Sequence, residues 1–286
     1  MRLIKKLIWT IISLLLIIVL IVAGGYVFVR VKYKVDLFST ISELKTLNEK
    51  VDENTIAPDA FSKLNMSGVK EQTDLSVVGL VTVDDDEENY RVNLNLSSGE
   101  MQDIIKLNYL QVGALADNIL QNQLGGKINF NDKDIEIKLL QVKFDNVQNG
   151  GARFNTIFKI NITPFKDEMK GFPLSLFKKY VPDTLYISST VDVSKTTTPF
   201  EYVVTHVSLT INNLDNAKTQ DLFHTLDTFL KFGSQETFNE NIGKKVLGVL
   251  IGNENEAGLA YSLKPLGATD YRFVIIDDIE YFTVQK

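Results

Sequence analysis

The sequence predicts an α+β fold behind a single N-terminal transmembrane helix, and three features carry that prediction. The stretch Leu7–Val29 holds no charged residue. Beyond it, short runs with apolar residues at every second position are separated by polar or glycine-rich turns, the pattern of half-buried strands joined as hairpins. Several other segments repeat their apolar residues at helical spacing. Strands joined by short turns, with helices grouped between them, indicate antiparallel pairing and the α+β class.

At 1.5 Å per residue the Leu7–Val29 stretch extends about 34 Å, slightly more than a hydrocarbon core of about 30 Å. Backbone groups in lipid must be bonded within the segment, so a single span is a helix. Trp9 and Tyr26 lie near its ends, where amphipathic rings prefer the interface. Ala23-Gly24-Gly25 resembles a signal-peptidase site, but the apolar run continues through Val29, past the length of a secretory leader. The flanking cations are balanced, with Arg2, Lys5 and Lys6 before the span and Arg30, Lys32 and Lys34 after it. A short basic tail stays inside while a long C-terminal domain crosses largely regardless of charge. The expected arrangement is a cytoplasmic tail at 1–6, the span at 7–29, a stalk and linker at 30–65, and an extracytoplasmic domain at 66–286.

Those six cations all precede Val35, and no acid does, so the rest of the chain carries 24 cations against 36 acids, a net charge of −12. An acidic exterior repels phosphate backbones and argues against nucleic-acid binding and broad electrostatic adhesion to membranes. The chain has no cysteine. That excludes a lipidated cysteine anchor and fits a bacterial exported domain large enough to be held by core burial alone.

After the span, Leu37, Ile41, Leu44 and Leu47 mark a stalk helix that Asp36 or Ser39 would cap. Leu75–Val83 and Tyr90–Leu96 alternate as a hairpin around Asp84-Asp85-Asp86-Glu87-Glu88. Ile105–Tyr109 is a strand, and 112–124 a helix stopped by Gly125-Gly126. Ile128–Phe130 and Ile135–Phe144 are strands, with the alternation changing phase at Leu139-Leu140. A one-residue slip swaps faces, so a bulge or bend is expected there. Asn149-Gly150-Gly151 turns the chain into the strand Phe154–Ile162. An amphipathic turn or short helix at 174–180, between Pro173 and Pro182, precedes strands at Leu185–Val193 and Tyr202–Ile211. Helices follow at 216–232 and from Ser234 to Ile251, then closing strands at Leu259–Leu263 and Tyr271–Val284.

No catalytic or metal site is expected. The chain lacks a Gly-x-Ser-x-Gly elbow, a phosphate loop, a dinucleotide fingerprint and any cysteine nucleophile. Its histidines are His206, in a strand, and His224, on a helix; neither has an acid at triad or zinc-site spacing. The acidic turn Asp84–Glu88 lacks the glycine and terminal glutamate of a calcium loop and reads as a solvated hairpin tip. Asp277, Asp278 and Glu280 fall on alternating sides of a strand, which argues against a paired-carboxylate site. No cofactor is implied.

What the chain supplies in quantity is apolar bulk, including 17 phenylalanines. These fill an ordinary core, or they line an elongated groove where a curved antiparallel sheet wraps amphipathic helices, the bulge supplying the curvature. The order of elements from 103 to 163, followed by Gly171-Phe172-Pro173-Leu174-Ser175-Leu176-Phe177-Lys178-Lys179-Tyr180-Val181-Pro182, resembles the YpmS-like family of Gram-positive membrane-anchored proteins. It is also similar to the tubular lipid-binding (TULIP-like) architecture. The resemblance implies an extracytoplasmic, lipid-binding, non-catalytic role, and it carries over no individual site residue. Two readings of function therefore stand. One is a tethered binding module for a lipid or other apolar ligand; the other is a structural partner in a cell-envelope assembly with a solid core. An envelope hydrolase ranks below both, because its residues are missing.

Overall fold

One extra residue in the longest strand sets which faces of the main sheet are buried. In the computed structural model the described residues are 28, 30–32, 34–60, 81–84, 91–94, 104–130, 133–166, 169–170, 175, 178–230, 233–255 and 258–286. The predicted span Leu7–Val29, apart from Phe28, lies outside them, as does the acidic tip beyond Asp84. Among the described residues no helix is long and apolar enough to cross a membrane.

The chain is α+β with antiparallel sheets. In order, the elements are α1 (Leu37–Leu47), α2 (Glu53–Ile56), β1 (Val81–Asp84), β2 (Arg91–Leu94), β3 (Ile104–Leu107), α3 (Tyr109–Leu124), β4 (Lys127–Phe130), β5 (Lys133–Gln148), β6 (Gly151–Asn161), α4 (Thr163–Lys166), β7 (Thr184–Lys195), β8 (Tyr202–Ile211), α5 (Asn216–Leu230), α6 (Gln235–Leu250), α7 (Leu259–Ser262), β9 (Asp270–Ile276) and β10 (Ile279–Gln285). Strands β4 to β8 form a five-stranded meander in sequence order, β3-β10-β9 a smaller sheet, and β1-β2 a separate hairpin.

The predicted slip is a bulge. Leu139 pairs with Phe158, Gln141 with Ile157, and Leu140 has no partner between them. Leu139 joins the principal core with Phe144, Phe154 and Phe158, whereas Leu140 packs on the opposite face with Ile157, Ala57 and Ala60. The sequence's double leucine thus reports a strand buried on both sides, which a single alternating stripe cannot produce.

Local chemistry sets the helix ends. The Asp36 carboxylate accepts from the Phe38 and Ser39 N–H groups at 3.0 and 3.2 Å. Asn108 and Gln111 form a reciprocal capping box at the start of α3, and Gly125, at φ 59°, ends it. Ser234 caps α6 by accepting from the Thr237 N–H.

The structure corrects two expectations. The segment Leu259–Leu263 is not a strand, because Leu259–Ser262 forms the short helix α7. Its buried positions Leu259, Ala260 and Leu263 have helical spacing, and the Tyr261 N–H donates to the Ile251 carbonyl, folding the chain back on α6. A five-residue run is too short for its period to distinguish helix from strand. The helix expected as a free stalk, α1, is docked instead. Leu44 and Leu47 are buried with Leu209, Ile211, Leu222 and Phe223, and Asn212 donates from its side-chain amide to the Leu47 carbonyl at 2.8 Å.

Helix α6 lies very close to the sheet. A Cβ at Gly243 would sit 2.9 Å from methyls of both Val191 and Val204. At Gly258 it would overlap the backbone of Gly248 and Gly252. Gly243→Ala gains about 1 kcal/mol of helix propensity, but overpacking of about 1–3 kcal/mol outweighs it. We expect a net loss of stability for Gly243→Ala and a larger loss for Gly258→Ala, whose clash is with rigid backbone. Thermal unfolding of the two variants in detergent checks the order; equal stability of Gly258→Ala and the parent would contradict the packing described.

Candidate functional site

The residues considered for chemistry on sequence grounds, apart from Asp85–Glu88, which lie outside the described residues, can be followed into the fold. His224 is exposed on α5, and its carbonyl accepts from the Thr228 hydroxyl at 2.9 Å. Asp277 and Asp278 form the β9–β10 turn, both with positive φ (51° and 62°), and are exposed. Short polar side chains tolerate that conformation best after glycine. Asp84 ends β1. The structure brings none of these groups together.

His206 is in different surroundings. Its ring Nδ1 lies 2.8 Å from Asn239 Nδ2, and Asn239 Oδ1 accepts from the Ser189 hydroxyl at 2.5 Å. A serine and a histidine are therefore linked, but through an amide and not to each other. Ser189 is 1% exposed and Asn239 0%, so no substrate reaches the hydroxyl. Asn239 also donates to the carbonyls of Thr190 and Ser208, at 2.8 and 3.1 Å. Those residues lie where β7 and β8 lose register, between Thr190 and Val191. The amide satisfies groups at a sheet irregularity that burial would otherwise leave unpaired. Beside it, Glu240 accepts from the His206 N–H and Asn216 from the Leu209 N–H, sealing positions on the outer edge of β8.

The outer sheet face carries a second constellation. Residues 52–60 cross it as a strap. Glu53 accepts from Lys159 Nζ at 2.8 Å and from the Tyr186 hydroxyl at 3.0 Å. Farther along, the Asp59 N–H donates to the Gln141 side chain at 3.0 Å, and the Asp59 carboxylate pairs with Lys143. Ala57 and Ala60 fill the space over Leu140. The Lys159 hydrogen bond holds the Glu53 carboxyl below its usual range, with help from Tyr186. Both partners are more than one-third exposed, so the ion pair is weak and the alanine contacts contribute comparably. A polar depression of about 380 Å³ opens at the β5–β6 turn. Its cations are already engaged: Arg153 makes a two-point contact with Asp192, and Lys195 binds Asp270 at 2.7 Å.

The apolar side chains divide into two main clusters. In one, Phe144, Phe154, Phe273 and Phe282 stack at centroid distances of 5.2–5.5 Å. The Tyr271 ring packs on Phe282, and its hydroxyl donates to the Glu201 carbonyl at 3.2 Å; burial pushes this phenol well above its ordinary value. The other cluster lies between α1, α5 and the sheet. Its buried members Val35, Leu44 and Met169 are fringed by the partly buried Ile41, Tyr180, Val181, Leu185 and Phe238.

Among the described residues, no three histidine or acidic side chains gather as metal ligands. Comparison with protein-family models, curated proteins and solved structures finds no match for this chain.

Sequence reasoning missed Asn239, Glu53 and Tyr186. Asn239 left a trace: it shares the buried stripe of α6 with Gln235, Gly243 and Val246, a polar residue and a glycine where only bulk was expected. Glu53 left none, since its partners are more than a hundred residues away.

Two glutamates give opposite pH signatures. Glu43 is 7% exposed, and burial raises its pKa more than the Ser39 hydrogen bond lowers it. A raised folded value makes stability fall as pH rises from the unfolded value through the folded one. Glu43→Gln is therefore expected to stabilise at neutral pH, with the gain fading on acidification. Glu53 is depressed, so its contribution is present above the ordinary carboxylate value and disappears as pH falls through the folded one. Glu53→Gln should cost up to about 1 kcal/mol at neutral pH and little in acid. Melting curves of both variants from pH 4 to 7 read the two slopes; parallel slopes would contradict these environments.

Proposed function

We propose that this chain is a membrane-tethered, extracytoplasmic binding module that works without catalysis and takes a lipid or other apolar ligand. The uncharged stretch Leu7–Val29 supports the tether. The observation that carries the ligand reading is the cluster between α1, α5 and the sheet. Partly buried apolar side chains surround a buried apolar floor there, and the cluster begins at Val35, a few residues past the expected span. Apolar ligands need a lining of this composition with few polar groups. A bulged antiparallel sheet covering amphipathic helices is also compatible with a TULIP-like or YpmS-like architecture, which we propose as the relationship.

A second reading, a structural partner in an envelope assembly, draws on the aromatic cluster. Tyr271, Phe273 and Phe282 are 0–1% exposed and fill their part of the interior. An occupant would have to displace closely stacked rings.

The full-length chain, reconstituted in bilayers containing a photoactivatable fatty acid, separates the two. Cross-links within 35–47, 178–187 and 209–223 are expected. Labelling confined to 7–29, or none, would contradict the ligand reading and favour the partner reading.

A further inference from the structure

We infer that the end of the folded body next to the anchor is a docking face for the anionic headgroups of the bilayer in which the chain is tethered; this rests on the tether proposed above. Only residues 30–36 separate the expected end of the span from Leu37, the first residue of α1. Even fully extended, they reach roughly 25 Å. Helix α1 and whatever packs on it are therefore held close to the membrane surface.

The composition of this end departs from the rest of the chain. Among the described residues of 28–47 and 169–180, the cations are Arg30, Lys32, Lys34, Lys45, Lys170, Lys178 and Lys179, and the carboxylates are Asp36 and Glu43; α5, packed against α1, adds Lys218, Asp221 and Asp227, and the sum stays positive. Asp36 and Glu43 are engaged within the fold. Asp36 accepts from the first N–H groups of α1, and Glu43 is buried against the Ser39 hydroxyl, 2.8 Å away. The net positive charge here contrasts with −12 for the chain from Val35 onward.

The cations are combined with aromatic side chains. Phe38 is 67% exposed, and Lys45 lies seven positions on, hence on the same face of α1. Lys45 Nζ is 5.8 Å from the Tyr180 ring centre, and Lys179 Nζ is 4.7 Å from the same ring. Lys45, Tyr180 and Lys179 are thus grouped as a basic and aromatic surface, with exposed Phe38 two turns earlier on the same face of α1. Aromatic rings settle at headgroup depth, and lysines near the surface are drawn to anionic lipid over about a Debye length, near 8 Å in physiological salt. The acidic remainder of the domain is repelled by the same headgroups, so charge segregation orients the body with this end down. An acidic protein would share the charge but would not need to sit within reach of the span.

The full-length protein in nanodiscs of phosphatidylcholine, with or without phosphatidylglycerol, tests this by amide hydrogen exchange. Alkaline carbonate extraction of membranes reads the tether separately. Exchange across α1 and residues 178–187 should slow by about tenfold in the anionic discs, on the scale of a few surface lysines. High salt or the double variant Lys45→Gln, Lys179→Gln should abolish the slowing without changing the melting temperature. Equal exchange in both discs, for a chain that carbonate does not extract, would overturn the docking face alone. Extraction by carbonate would overturn the tether and the docking face with it.

Discussion

The close seat of α6 on the main sheet is the constraint on which the rest of the fold depends. At one point Gly243 removes the side chain that would hold the helix away from Val191 and Val204. One turn earlier Asn239, fully buried, bridges Ser189, the Thr190 and Ser208 carbonyls and the His206 ring. The two residues act differently. The glycine permits the approach, and the asparagine penalises any departure from it, because a shifted helix would leave several buried polar groups unpaired at about 1–3 kcal/mol each. Ile242, between them in sequence, packs against both apolar clusters. The spacing set here is therefore felt at both ends of the body.

The bulge in β5 solves a different problem. A strand with one apolar stripe can bury one face, but β5 must meet the principal core with Leu139 and the 52–60 strap with Leu140. An unpaired residue changes the phase once and allows both. The strap carries the chain from α1 over the outer face, so the segment 37–60 is fixed to the body in two places. At one, α1 packs on Leu209 and Ile211; at the other, Glu53 and Asp59 reach Lys159, Tyr186 and Lys143. Each exposed ion pair is weak. Combined with buried Ala57 and Ala60, they replace a flexible stalk with a fixed one.

Local rules recovered much of this from sequence. Asp36, Ser234 and Gly125 act through neighbours a few residues away, so their roles at helix ends were legible. The double leucine revealed the bulge because alternation is counted along the strand itself. Readings failed where the deciding partner was distant. Helix α1 looks like a stalk until Leu209, Ile211 and Leu222 are brought against Leu44 and Leu47. Leu259–Leu263 looks like a strand until Gly258 packs on Gly248 and Gly252. For the candidate site, the sequence placed the histidines outside any catalytic arrangement. It gave no hint that His206 would be linked to a serine, because the connecting residue is on a helix more than thirty positions later.

The two apolar clusters differ in a way that bears on how such a body would work. Tyr271, Phe273 and Phe282 are packed ring against ring, and the hairpin carrying them is fixed by the Lys195–Asp270 pair, whose side chains are 8% and 19% exposed. Removing either partner would strand a mostly buried charge, so this end resists opening. The cluster under α1 has no comparable buried ion pair among the described residues that define it. Among the described residues its links include the Asn212 and Asn213 side-chain amides, which donate to the Leu47 and Glu49 carbonyls at 2.8 and 3.5 Å, and a 3.5 Å contact between the Thr40 and Thr225 hydroxyls. Its rim includes the partly buried Tyr180 and Phe238. Local opening takes place where apolar contacts are fewest and backbone hydrogen bonds most exposed. On that physical ground the end under α1, not the aromatic end, opens at least cost, and it is there that the proposed apolar ligand would enter.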